Sequence, residues 1–137
     1  MAASDGHDVL RLTVPADTSC AGRDGSLYLT SHYRNVEVWL VRGTQTVDEA
    51  VRRVSQVIDP EFKDFKAAST TDLTIAASPA KRLTGSGTEA DDGDPGEADI
   101  VVFQKGQHVF VACTHGESLS SQAQQWMLAI VQAAQVP

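Results

Sequence analysis

The chain has 137 residues, 42% of them hydrophobic and 21% charged, which is the size and composition of one globular domain and not of a disordered or collagenous chain. No apolar run approaches the roughly eighteen residues that a membrane-spanning helix needs. The formal net charge is −7, and the basic residues form no stripe of the kind that displaces counterions from nucleic-acid phosphates. Residues 1–137 therefore read as a single soluble domain with neither a membrane span nor a nucleic-acid partner. The opening residues carry no basic or apolar region, so no signal peptide is read there. The compartment stays open between the cytoplasm and export behind a signal lying ahead of this sequence.

In chain order, residues 9–14 alternate, with Leu10, Leu12 and Val14 on one face, and stop at Pro15, which predicts a first strand. Residues 18–25 read as a loop. Two more strands follow at Ser26–Ser31 and residues 35–42, the second with Val36, Val38 and Leu40 on one side and Trp39 and Val41 on the other, joined by a turn near Arg34 and Asn35. Thr46 and Glu49 form a capping box, and Val47, Ala50, Val51, Val54, Val57 and Ile58 recur at helical spacing up to Asp59 and Pro60. Beyond Phe62 the pattern returns to short β segments at 65–69, 72–76 and 80–90, with Ser78 and Pro79 as punctuation. Residues 98–104 and 108–114 make a hairpin around Lys105, Gly106 and Gln107. Its first strand is apolar on both faces and so asks for cover on two sides. A closing helix from about 119 or 120 to 135 presents Ala123, Trp126, Met127, Ile130, Val131 and Ala134 to the core. The fold class is accordingly α+β, a mostly antiparallel sheet flanked by helices.

Two cysteines leave two readings. A Cys20–Cys113 disulfide would close a loop of about 90 residues, worth about 4–5 kcal/mol on chain-entropy grounds. Unpaired, each is a small hydrophobe. Cys113 shares strand parity with Val109 and Val111, which favours burial, whereas Cys20 lies in a polar stretch.

The strongest local anomaly is acidic. Glu89, Asp91, Asp92, Asp94, Glu97 and Asp99 fall within twelve residues without a Lys or Arg, leaving twelve acids against eleven bases elsewhere. Asp94-Pro95-Gly96 fits a tight turn. One reading is a solvated connection whose charges resist edge pairing. The other is a site for a divalent cation such as Ca²⁺, which relieves repulsion among clustered carboxylates. On that reading the metal ligands come from Asp91, Asp92, Asp94 and Asp99, joined by His115 and Glu117 from the loop ahead of the last helix. The spacing departs from the EF-hand loop, because Gly96 stands where the third ligand would be. Enzyme templates fail: there is no His-Glu-x-x-His or Cys-x-x-Cys pair, and Gly85-Ser86-Gly87 is neither a nucleophile elbow nor a phosphate loop.

The order of elements resembles the fold of the PsbP-like extrinsic photosystem proteins, the Mog-type Ran-binding proteins and small uncharacterised bacterial domains. The stretches that carry the resemblance are Ala80-Lys81-Arg82-Leu83-Thr84-Gly85, Asp99-Ile100-Val101-Val102-Phe103 and Val109-Phe110-Val111. It implies a three-layer sandwich in a group whose members mainly bind or assemble, with no catalytic residue carried across. The function expected is thus a non-enzymatic binding or accessory domain with a protein or cation partner. The alternative is a metal-dependent enzyme using the acidic turn with His115.

Overall fold

The computed structural model describes residues 8–23, 25–32, 34–44, 46–58 and 62–137. Strands β1 (Ser19–Arg23), β2 (Ser26–Ser31) and β3 (Arg34–Leu40) form one antiparallel meander. Two short helices, α1 (Val47–Arg52) and α2 (Val54–Ile58), then carry the chain across one face of the sheet to its far edge. There β4 (Phe62–Ile75), β5 (Ser78–Glu89), β6 (Pro95–Lys105) and β7 (His108–Gly116) run back as a second meander. Pairing of β7 with β3 fuses the two into one seven-stranded sheet of order β1-β2-β3-β7-β6-β5-β4. Helix α3 (Ser121–Ala133) packs on the opposite face, against β3 and β7.

This balance corrects the expected α+β sandwich. Of the described residues, 54% lie in strands and 19% in helices, so the fold is mainly β with three short helices. Three local differences produce the shift. Residues 18–25, expected as a loop, contain β1, because Ser19 to Arg23 pair residue by residue with β2 and complete its ladder. The two short segments expected after Phe62 merge into the 14-residue β4, whose Thr70, Thr71 and Thr74 suit an extended chain and which absorbs irregularities at Lys63/Lys66 and Ala67/Ser69. The helix expected from Thr46 is capped as anticipated, Thr46 Oγ1 accepting from Glu49 N–H at 3.2 Å, but it breaks at Arg53. Arg53 leaves helical geometry at φ −102° and ψ 4°, and its guanidinium donates to Thr44 Oγ1 at 2.6 Å. The expected stop ahead of Asp59 and Pro60 and the reading of residues 1–7 lie outside the described residues.

The segment expected as a first strand also takes another role. Val9 and Leu10 are buried, yet the segment meets the C-terminal end of α3 and not a sheet edge, through a single bridge between Arg11 and Gln135. The β2–β3 turn sits at His32, φ 47°, a step earlier than expected. The β4–β5 turn is Ala76-Ala77, ahead of Ser78 and Pro79, and both alanines have positive φ, 47° and 68°.

Strand alternation divides the core by faces. Val36, Val38, Val101, Phe103, Phe110 and Ala112 meet Trp126, Met127, Ile130 and Val131 of α3 on one face. Ile100, Val102, Val109, Val111 and Cys113 meet Ala50, Val54 and Ile58 of the other helices, with Phe62 and Phe65, on the second face. The expected cover of the central hairpin on both sides is present, and the expected buried stripe of α3 is the one observed. No disulfide joins the two cysteines: Cys20 is exposed on β1 and Cys113 buried on β7. Among the described residues no helix is long and apolar enough to cross a membrane.

Candidate functional site

Helices α1 and α2 pack over β4, β5 and β6. On the same face, β1, β2 and β3 occupy the other end of the sheet. The side chains that alternation sends there are Tyr28, which stands opposite Glu37 across the β2–β3 ladder, and Trp39, two residues further along β3. They form one wall of a cleft of about 740 Å³. The other wall is the acidic turn with the end of β7: Glu89, Asp91, Asp92, His115, Gly116 and Glu117.

The acidic turn is closed by two backbone hydrogen bonds and one from a side chain. Glu89 N–H donates to Asp94 O at 2.9 Å, Gly93 N–H to Glu89 O at 3.0 Å, and Asp94 N–H to Asp92 Oδ1 at 3.0 Å. Gly93 supplies the positive φ, 74°, that such a reversal needs. The turn therefore lies at residues 90–94, and Pro95 and Gly96, expected within it, already belong to β6.

Beneath the turn two glycines face each other, Gly87 on β5 and Gly96 on β6. A side chain at Gly87 would place Cβ 2.4 Å from the Phe62 ring, and one at Gly96 would lie 2.9 Å from Glu89 Oε1. The paired glycines thus let Phe62 reach His115, with ring centroids 5.4 Å apart. His115 Nδ1 in turn sits 2.8 Å from Glu89 Oε2, with side-chain exposures of 14% and 13%. The approach is too far off the ring N–H direction to make a hydrogen bond, so the contact is an ion pair when His115 is protonated. Glu89 Oε1 is buried and has no hydrogen-bond partner among the described residues.

Of the residues expected as metal ligands, Asp91, Asp92, His115 and Glu117 come together around this cleft. Asp94 is exposed and does not line it. Asp99 is on the other face, fully buried. There its Oδ1 accepts from Arg82 Nε at 2.9 Å, and its Oδ2 accepts from Arg82 Nη2 at 2.6 Å and from Gln124 Nε2 of α3 at 3.0 Å. These hydrogen bonds hold the Arg82 guanidinium above its ordinary range, against the opposing effect of partial burial. Among the described residues no three His, Cys, Asp or Glu side chains converge in a way that holds a metal ion. His32 pairs with Asp17, and His108 lies edge-on to Phe110; neither lines the cleft.

Sequence reasoning missed Glu37, Glu89, Tyr28 and Trp39 as parts of one surface. The available signal was Glu37 between Val36 and Val38, a carboxylate 7% exposed in an otherwise apolar strand. A buried acid in such a strand marks a polar feature on the opposite face from the valines.

No known protein family matches the sequence, and no curated protein is similar to it in sequence. Among solved structures, the chain is similar to PA94 of Pseudomonas aeruginosa, a protein of unknown function described as a candidate regulator. The TM-score is 0.53 at 14% identity, over 95% of this chain and 98% of that one. It is also similar to LpqN of Mycobacterium tuberculosis, described as involved in cell envelope biogenesis, with TM-score 0.49 at 17% identity over 93% of this chain and 83% of that one. At that identity the likeness to PA94 is one of fold.

Proposed function

We propose that this domain is a binding or accessory module that receives a positively charged segment of a protein partner in the cleft between β2–β3 and the acidic turn. The observation that carries this reading is the composition of the cleft. Glu37, Glu89, Asp91, Asp92 and Glu117 line it together with Tyr28 and Trp39, and no Lys or Arg is among its described lining residues. Carboxylates of one sign in a concave, partly desolvated surface focus the field and raise the local concentration of cations. Two aromatic side chains beside them supply the contact area typical of protein-recognition surfaces.

Titrating the labelled chain with a short oligolysine peptide while following backbone amide shifts tests the reading. The largest changes are expected at Tyr28, Trp39, His115 and Gly116, and the double reversal Asp91→Lys, Glu117→Lys is expected to weaken binding about tenfold or more. Changes scattered over the whole acidic surface would overturn the cleft as the site. A parallel Ca²⁺ titration separates the alternatives: saturable shifts at Asp91, Asp92 and Glu117 without the aromatic residues would move the reading to a bare cation.

A further inference from the structure

Resting on the reading of the cleft as the binding surface, we infer that its preferred anchor is an arginine side chain, stacked between Tyr28 and Trp39 and paired with the carboxylates below. Three cationic occupants compete for such a place: a hydrated divalent ion, a lysine ammonium and an arginine guanidinium.

A divalent ion demands several oxygen ligands at short range. The carboxylates around the cleft do not meet that demand, since no three of the described His, Cys, Asp or Glu side chains converge on a point. They are distributed along two walls, Glu37 on β3 and Glu89, Asp91, Asp92 and Glu117 on the other side. That spacing suits a cation whose charge is spread over a plane.

Lysine and arginine differ in hydration and shape. An ammonium keeps a tight hydration shell, which a partly closed cleft strips at a cost. A guanidinium is weakly hydrated, stacks on aromatic faces and offers parallel N–H donors to carboxylates. The cleft presents both partners at once. Tyr28 is 40% exposed, one of the large hydrophobic side chains that the fold leaves open, and it lies directly across the ladder from Glu37, with Trp39 next along on the same face. Asp91, Asp92 and Glu117, on the facing wall, are exposed carboxylates within the same cleft and can accept from the guanidinium N–H groups. The same chain already uses both contacts elsewhere, with Arg34 5.0 Å above the Trp126 ring and Arg82 paired through two nitrogens with Asp99.

The test compares three hexapeptides of equal length on the full chain, carrying two arginines, two lysines or two glutamates, by calorimetry and amide-shift mapping. The arginine peptide is expected to bind about threefold to tenfold tighter than the lysine peptide. Tyr28→Ala, at a position 40% exposed, is expected to weaken the arginine peptide more than the lysine peptide and so to erase that preference. Glu37→Gln is expected to weaken both peptides. Equal arginine and lysine affinities with shifts in the cleft, or a preference that survives Tyr28→Ala, would overturn the arginine anchor and leave the cleft reading standing. If neither basic peptide moved cleft residues, or the glutamate peptide bound best, both would fall.

Discussion

Two carboxylates separated by ten residues behave in opposite ways, and the faces of the sheet decide which. Glu89 lines the cleft beside His115 and, among the described residues, keeps one buried oxygen without a hydrogen-bond partner, while Asp99 faces α3 and accepts from both Arg82 and Gln124. In the sequence the two belong to one acidic run. Their separation was not legible there, because β-strand parity assigns faces only once the register of β5 on β6 is known. The bond of Arg82 to Asp99 joins positions 17 apart that only the pairing of Arg82 with Val101 brings near. The role assigned to Asp99 yields a prediction at this scale. Asp99→Ala leaves a partly buried guanidinium without its counter-charge and frees the Gln124 amide on α3. Breaking such a pair from one side costs about 3–5 kcal/mol, to be read as a lower urea midpoint with an unchanged slope. A loss below about 1 kcal/mol would mean that Asp99 behaves as a solvated acid after all.

Among the elements, those with strong internal periodicity were legible and those made by pairing were not. The stripe of α3, the Thr46 N-cap of α1 and the central hairpin are written in local spacing, so they appear where expected. β1 has little apolar content and exists as a strand because β2 offers it a ladder. The length of β4 likewise comes from β5, against which nearly all its residues pair. The β4–β5 reversal shows the limit of turn chemistry read from sequence. Pro79 drew attention, but the chain turns at Ala76-Ala77, where two residues with Cβ atoms adopt the left-handed region. That conformation costs an ordinary residue about 1–2 kcal/mol, and two-residue hairpins of this twist favour Asn-Gly. Ala76→Asn with Ala77→Gly is therefore expected to stabilise the protein by about 1–2 kcal/mol. The measurement is a shift of the denaturation midpoint to higher urea. No shift, or a lower midpoint, would show that the hairpin does not hold both alanines at positive φ.

For the molecule as a whole, the open question in the sequence was whether the acidic turn is solvated ornament or a site. The structure changes the terms, since the turn is one wall of a cleft whose other wall is aromatic. With a net charge of −7, carboxylates gathered around one cavity repel one another and the rest of the chain, a cost to the compact state that a cationic partner offsets. A turn that served only itself would instead use its acids locally, as Asp92 does by accepting from Asp94 N–H. Asp91 and Glu117 are exposed and line the cleft, so they distinguish the two cases. Neutralising them as Asp91→Asn and Glu117→Gln is expected to stabilise the unbound protein by a few tenths of a kcal/mol to about 1 kcal/mol at low salt. The gain should fade toward 1 M salt, where the screening length falls to about 3 Å. The same double variant is expected to bind a basic peptide several-fold more weakly, because attraction and self-repulsion come from the same charges. Thermal melts at two salt concentrations, set beside one peptide titration, measure both halves. A variant that lost stability at low salt would assign these acids to local bonding, and the turn would then be a hairpin connection and nothing more.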